Sequence, residues 1–80
     1  MLQTILRLPA VKAVCGLSRS TVYLRISQGL WPRPVSLGAR AVGWPAAEVA
    51  AVNAARIAGK SNEEVQQLVS KLEASRKTRS

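Results

Sequence analysis

The sequence predicts a mainly helical domain with one small β-hairpin, in the order helix, helix, hairpin, helix, helix. Three observations lead there. Apolar residues recur at helical spacing in separate segments on both sides of residue 30. Pro32 and Pro34, two prolines within three residues, break that periodicity near the middle of the chain. Directly after them the apolar positions alternate, Val35 with Leu37 and then Val42 with Trp44, around Gly38.

The first helix is expected over residues 9–15. Pro9 suits a first helical turn, where its missing N–H is not needed. Leu8, Val11, Val14 and Cys15 fall at helical spacing, and Gly16 fits the left-handed position that stops a helix. Two residues later Ser18 is a good N-cap for a second helix that runs through Gln28 and stops at Gly29. On that helix Val22 and Ile26 define an inner face with Tyr23 on its flank; Ser20, Leu24 and Ser27 point the other way. The segment 30–34 is a stiff extended connector. Residues 34–37 and 41–44 then pair as a hairpin across Gly38-Ala39-Arg40, a three-residue turn. Pro45 opens a third helix, with Glu48 in its first turn, where an acid favours the helix dipole; this helix stops at Gly59. Ser61-Asn62-Glu63-Glu64 is a capping box that starts a fourth helix, with Val65, Leu68, Val69 and Leu72 as its apolar stripe.

The two short helices joined by Gly16-Leu17-Ser18 form a helix-turn-helix, and the hairpin after them is its wing. The fold class is therefore a winged helix-turn-helix plus a C-terminal helix. The expected domains are a winged helix-turn-helix over residues 1–59, an amphipathic helix over 60–75 and a disordered basic tail over 76–80.

Charge gives this fold a partner. The 80 residues carry a net charge of +8, and such a surface attracts polyanions. The distribution is uneven. Residues 1–43 hold Arg7, Lys12, Arg19, Arg25, Arg33 and Arg40 with no acid, and the first acid in the chain is Glu48. The anion-binding half is thus the half that contains the helix-turn-helix and the wing.

In a helix-turn-helix the second helix enters the major groove and its N-terminal residues reach base edges. Arg19 can make bidentate contacts to guanine or phosphate, and Ser20 and Thr21 are short donors and acceptors for either. Tyr23 can offer its hydroxyl to a phosphate. Leu24 is apolar on the face assigned to DNA, where either a thymine methyl or a second protomer accounts for it. Arg25 completes the basic content of that helix. Arg33 on the proline connector can clamp backbone beside the helix, and Arg40 at the wing tip can lie along a phosphate strand or in the minor groove.

The stretch from Leu6-Arg7-Leu8 through Gly16-Leu-Ser-Arg-Ser-Thr-Val-Tyr23, then Gly29-Leu-Trp-Pro32, Pro34-Val-Ser-Leu-Gly38 and Val42-Gly-Trp44, resembles the AlpA family. These are phage and prophage regulators whose winged helix-turn-helix is related to MerR-type and excisionase domains. The resemblance covers residues 5–58. It implies DNA binding in a bacterial cytoplasm, at the nucleoid, and regulation of prophage or mobile-element genes. It assigns the recognition role to Arg19, Ser20, Thr21 and Tyr23 and the wing role to Arg40. One departure is visible: family members often place a basic residue after the tyrosine, whereas this chain has Leu24 and then Arg25.

The expected function is sequence-specific binding of duplex DNA by a transcriptional regulator. The alternatives are an excisionase-type recombination directionality factor and, in another class, a protein-interaction adaptor that does not bind DNA. Catalysis is disfavoured: there is no histidine, one cysteine, and four carboxylates that all follow residue 47. No metal-ligand spacing or phosphate-binding glycine loop occurs, so no cofactor, metal or small-molecule ligand is expected. Cys15 reads as a small hydrophobe in a reducing compartment. No secretory leader is read at the N-terminus, and no run approaches the roughly 20 apolar residues of a membrane span. The stripe Val65, Leu68, Val69 and Leu72 packs on its own domain or on a second copy; the second option makes a homodimer or a tandem assembly on DNA.

Overall fold

The computed structural model describes residues 4–39 and 41–78. Along the chain lie β1 (Ile5–Leu6), α1 (Leu8–Cys15), α2 (Arg19–Ser27), β2 (Val35–Ser36), β3 (Val42–Pro45), α3 (Ala46–Ile57) and α4 (Asn62–Thr78). This is the winged helix-turn-helix with a C-terminal helix.

The helix-turn-helix forms by the expected devices. Gly16 adopts φ 69° and its N–H bonds the Lys12 carbonyl, which ends α1. Ser18 caps α2 by accepting the Thr21 N–H at 3.2 Å. In the wing, Val35 stands opposite Gly43 and Ser36 opposite Val42. The Leu37 N–H bonds the Ala41 carbonyl at 2.8 Å, closing the turn.

The third strand, β1, has no counterpart among the expected elements. It pairs antiparallel with β3, Ile5 opposite Pro45 and Leu6 opposite Trp44, so the sheet order is β1-β3-β2. Two residues are too few for an alternation to register as a strand signal. Gly43 is what admits β1. A Cβ there would lie 2.5 Å from Ile5 Cγ2 and 2.9 Å from the Leu6 carbonyl oxygen, and a glycine inside a strand commonly marks such a close approach.

Val11, Val22, Leu30, Trp31, Trp44, Val49, Val52, Val65 and Val69 make one core cluster. It draws on α1, α2, the connector, β3, α3 and α4, and at about 1.5–3 kcal/mol per buried side chain it is the main source of stability. Cys15 sits at its edge, half-buried, with Sγ 2.8 Å from the Val11 carbonyl oxygen.

The capping box of α4 is reciprocal: the Glu64 N–H bonds Ser61 Oγ and the Ser61 N–H bonds Glu64 Oε1, each at 3.2 Å. The stripe it launches faces its own domain. Val65 and Val69 are buried in the core cluster, and Leu68 and Leu72 pack partly buried against it. Of the stripe Val65, Leu68, Val69 and Leu72, Val65 and Val69 are thus taken up by packing on the same chain, because the turn at Gly59 and Lys60 folds α4 back along α3. The helix also continues to Thr78, so residues 76–78 are not tail.

Glu48 gives the physical reason for that extension. It lies in the first turn of α3 as expected, but it is 1% exposed. Arg76, four residues beyond Leu72 on the same stripe, bonds it with both ends of its guanidinium: Nε to Oε2 at 2.9 Å and Nη2 to Oε1. The bond to Glu48 holds the Arg76 guanidinium above its ordinary pKa, against the opposing effect of burial.

Candidate nucleic-acid interface

Helical geometry sorts the side chains of α2 into one inner face, one outer face and two flanks. Val22 is fully buried and Ile26 packs on the core. On the opposite face Ser20, Leu24 and Ser27 are exposed, with Leu24 at 55%. Ser27 is turned back on its own helix, its Oγ donating to the Leu24 carbonyl at 2.6 Å. Ser20 and Leu24 are then the exposed side chains that this face leaves without a hydrogen bond to their own helix.

On one flank lie Arg19 and Tyr23. The Arg19 guanidinium sits over the Tyr23 ring, 5.9 Å from its centroid. Tyr23 in turn meets Trp44 edge-on, with ring centroids 6.5 Å apart. Trp44 belongs to the central strand and its Nε1–H donates to the Pro32 carbonyl at 2.8 Å. The chain Arg19–Tyr23–Trp44–Pro32 locks the head of α2 to the wing and to the connector, so the angle between helix and wing is held by aromatic packing.

Arg25 occupies the other flank. It faces the end of α3, where Arg56 lies: burial first, and then the charge of Arg25, pull the Arg56 guanidinium below its ordinary pKa. Thr21 is drawn into the Ser18 cap, its Oγ1 3.0 Å from Ser18 Oγ, and is half-buried. The sequence-derived set therefore divides. Arg19, Ser20, Tyr23 and Leu24 share an outward sector, Arg25 stands on the far flank, and Thr21 serves the cap. Arg33 is exposed on the connector beside the wing base. Arg40 lies outside the described residues.

The sequence reading missed the residues that hold Arg33 in place. All of them are on α4. Glu73 Oε2 accepts the Arg33 N–H at 2.7 Å, and Arg76 Nη2 donates to the Arg33 carbonyl at 2.8 Å. Higher on the same helix, Gln66 Nε2 donates to the Gln28 carbonyl at 2.8 Å, at the C-terminal end of α2. α4 thus holds both the C-terminal end of α2 and the connector. One signal was available: Arg76 continues the Val65, Val69, Leu72 stripe at helical spacing, and a charge on an apolar stripe implies a buried partner. Glu73 and Gln66 carry no such mark.

Residues 4–56 match the profile of the family described as Prophage CP4-57 regulatory protein (AlpA). The chain is also similar to the uncharacterized protein ORF88 of Enterobacteria phage P4, with 53% identity over 55 residues, which is 69% of this chain and 62% of that protein. It spans less than two thirds of that relative's length. No solved structure matches. Among the described residues no helix is long and apolar enough to cross a membrane.

Proposed function

The chain belongs to the AlpA family of phage regulatory proteins, and from that membership we propose that it regulates prophage or mobile-element genes by binding duplex DNA at a specific sequence. In this reading α2 enters the major groove. Ser20 and Leu24 face the base edges, Leu24 toward a thymine methyl and Ser20 toward a base acceptor or donor. Tyr23 on one flank and Arg25 on the other reach the phosphates on the two sides of the groove, and Arg19, beside Tyr23, reaches a guanine edge. Arg33 holds the backbone next to the connector, and Arg40 carries the wing onto phosphate or into the minor groove.

One observation supports this above the others. The exposed Ser20 and Leu24 of α2 have arginine on both sides, Arg19 on one flank and Arg25 on the other, in a stretch of chain where no acid precedes Glu48. A face built for an acidic or apolar protein partner does not need a short-residue centre between two cationic edges; a groove between two phosphate strands does.

Selection of bound duplexes from a random pool, at about physiological salt, tests the proposal. Enrichment of a short motif is the expected result. The spacing of motif copies then separates a promoter regulator from an excision factor, which binds clustered repeats. A pool without enrichment defeats sequence-specific binding and brings forward the protein-interaction alternative.

A further inference from the structure

A cleft of about 200 Å³ opens between the corner of the helix-turn-helix and the end of α3, lined by Cys15, Leu17, Arg25, Trp31, Asn53 and Arg56. Two of these side chains carry a buried N–H group with no acceptor among the described residues: Nε1 of Trp31 and Nη2 of Arg56. Buried donors are almost always paired, so two orphans in the lining of one cleft call for an explanation. The contrast with Trp44, whose indole N–H is satisfied by the Pro32 carbonyl, is sharp. Trp31 is 3% exposed, so bulk water does not serve its donor.

The charge of the lining points the same way. Arg25 and Arg56 both border the cleft, and no carboxylate is among its lining residues. The nearer fixed acceptor, Asn62 Oδ1, takes only Nη1 of Arg56, at 3.2 Å. Two guanidinium groups that repel each other gain most from a shared anion, and their planar forks match an oxyanion with several acceptor oxygens.

We propose that this cleft is a phosphate-group site, in which Arg25 and Arg56 take the anion between them and the Trp31 indole N–H donates to one of its oxygens. Cys15 and Leu17 form the apolar wall, and Asn53 supplies a further polar contact. The two orphan N–H groups are covered by their neighbours, so seating the anion takes a rotamer turn of Arg25 or Arg56, long side chains with several staggered wells. The phosphate can belong to the backbone of a bound duplex, since Arg25 stands on α2, or to a free phosphate compound. The site does not depend on sequence-specific DNA binding.

Nuclear magnetic resonance of the intact chain tests it, because Trp31 and Trp44 give the only two indole N–H signals. Inorganic phosphate, titrated against chloride at matched ionic strength, is expected to move the Trp31 signal saturably and to leave the Trp44 signal in place. The dissociation constant should be on the order of millimolar for so small a ligand. Arg25→Gln and Arg56→Gln should each weaken binding about tenfold or more. Arg56→Gln also loses the Asn62 bond, so a thermal melt accompanies it, and Arg25→Gln carries the comparison if that variant unfolds. A second titration starts from protein saturated with its duplex. If phosphate then moves Trp31 as before, the occupant is a free phosphate compound; if the duplex alone has moved it and phosphate adds nothing, the occupant is the DNA backbone. A Trp31 signal that answers neither probe overturns the site, as does a phosphate response unchanged in Arg25→Gln. Neither result touches duplex binding, which selection from the random pool reads independently.

Discussion

Arg76→Ala is the substitution that asks most of this structure. It leaves Glu48, 1% exposed, as a buried carboxylate with its cationic partner gone. Breaking a buried ion pair from one side costs about 3–5 kcal/mol. The Arg76 side chain keeps 23% of its surface in water, so solvent can reach the site once the side chain is trimmed, and screening brings the cost below that range, to about 2–3 kcal/mol. For 80 residues the whole stability is about 4–12 kcal/mol, so the loss is a large part of it. Urea unfolding read by the fluorescence of the buried Trp31 and Trp44 measures it directly. With a slope of about 1 kcal/mol per molar for a domain this small, the midpoint should fall by about 2–3 M with the slope unchanged. The double variant Glu48→Leu with Arg76→Leu should recover most of the loss, because no orphan charge remains. A midpoint shift below about 0.5 M for Arg76→Ala, or a double variant as unstable as the two single losses added, would refute the reasoning: the pair would then behave as a surface ion pair.

Gly43→Ala should cost about 1–3 kcal/mol, because the new Cβ meets Ile5 and the Leu6 carbonyl; hydrogen exchange should show the β1–β3 amides losing protection before the rest of the domain. The capping box gives an acid-sensitive step. Hydrogen bonds from Ser61, then the Lys60 charge, hold the Glu64 carboxyl below its ordinary value of 4.5. A depressed folded pKa means a contribution that is complete above the unfolded value and lost as pH falls through the folded one. Glu64→Gln should therefore lose stability relative to wild type at neutral pH and converge with it as pH falls through the lowered folded pKa, as paired melts would show. Arg19→Ala should relax sequence preference, whereas Arg40→Ala should lower affinity for every duplex and flatten the salt dependence by about one phosphate. Equal binding by wild type and both variants defeats the docking scheme. A chain ending at Gly59 should lose its cooperative melt, since it uncovers the core faces that Val65 and Val69 close.

Much of the fold was legible because local chemistry and tertiary structure agree. Gly16, Ser18 and the Ser61–Glu64 box do in the fold what their residue types do in isolation, and the period-two run around Gly38 is the wing. β1 was not legible, since Ile5 and Leu6 become a strand only through the edge that β3 offers. Glu48 was read through the helix dipole alone; its burial depends on a partner 28 residues away, and sequence spacing carries no such information. The candidate interface divides in the same way. Helical periodicity alone put Ser20 and Leu24 outward. The retreat of Thr21 into the cap, the stacking of Arg19 on Tyr23 and the turn of Arg25 toward Arg56 are tertiary facts.

The helix that the family match leaves out is also the one that holds the candidate interface in place. The match ends at residue 56 and α4 begins at Asn62. A winged helix-turn-helix must hold two things still: the recognition helix and the strand pair beside it. Here the joint between them is the connector, which cannot form helix or ladder because of Pro32 and Pro34 and so has few backbone bonds of its own. Trp44 takes the Pro32 carbonyl from the sheet side, and α4 takes Gln28 and both backbone groups of Arg33 from the other. Because Arg76 bonds Arg33 and Glu48 at once, the connector is tied to the start of α3 through one guanidinium. The consequence is a coupling between stability and docking: substitutions on α4, remote from the face assigned to DNA, should alter the placement of Arg33 against the duplex as well as the melting of the domain.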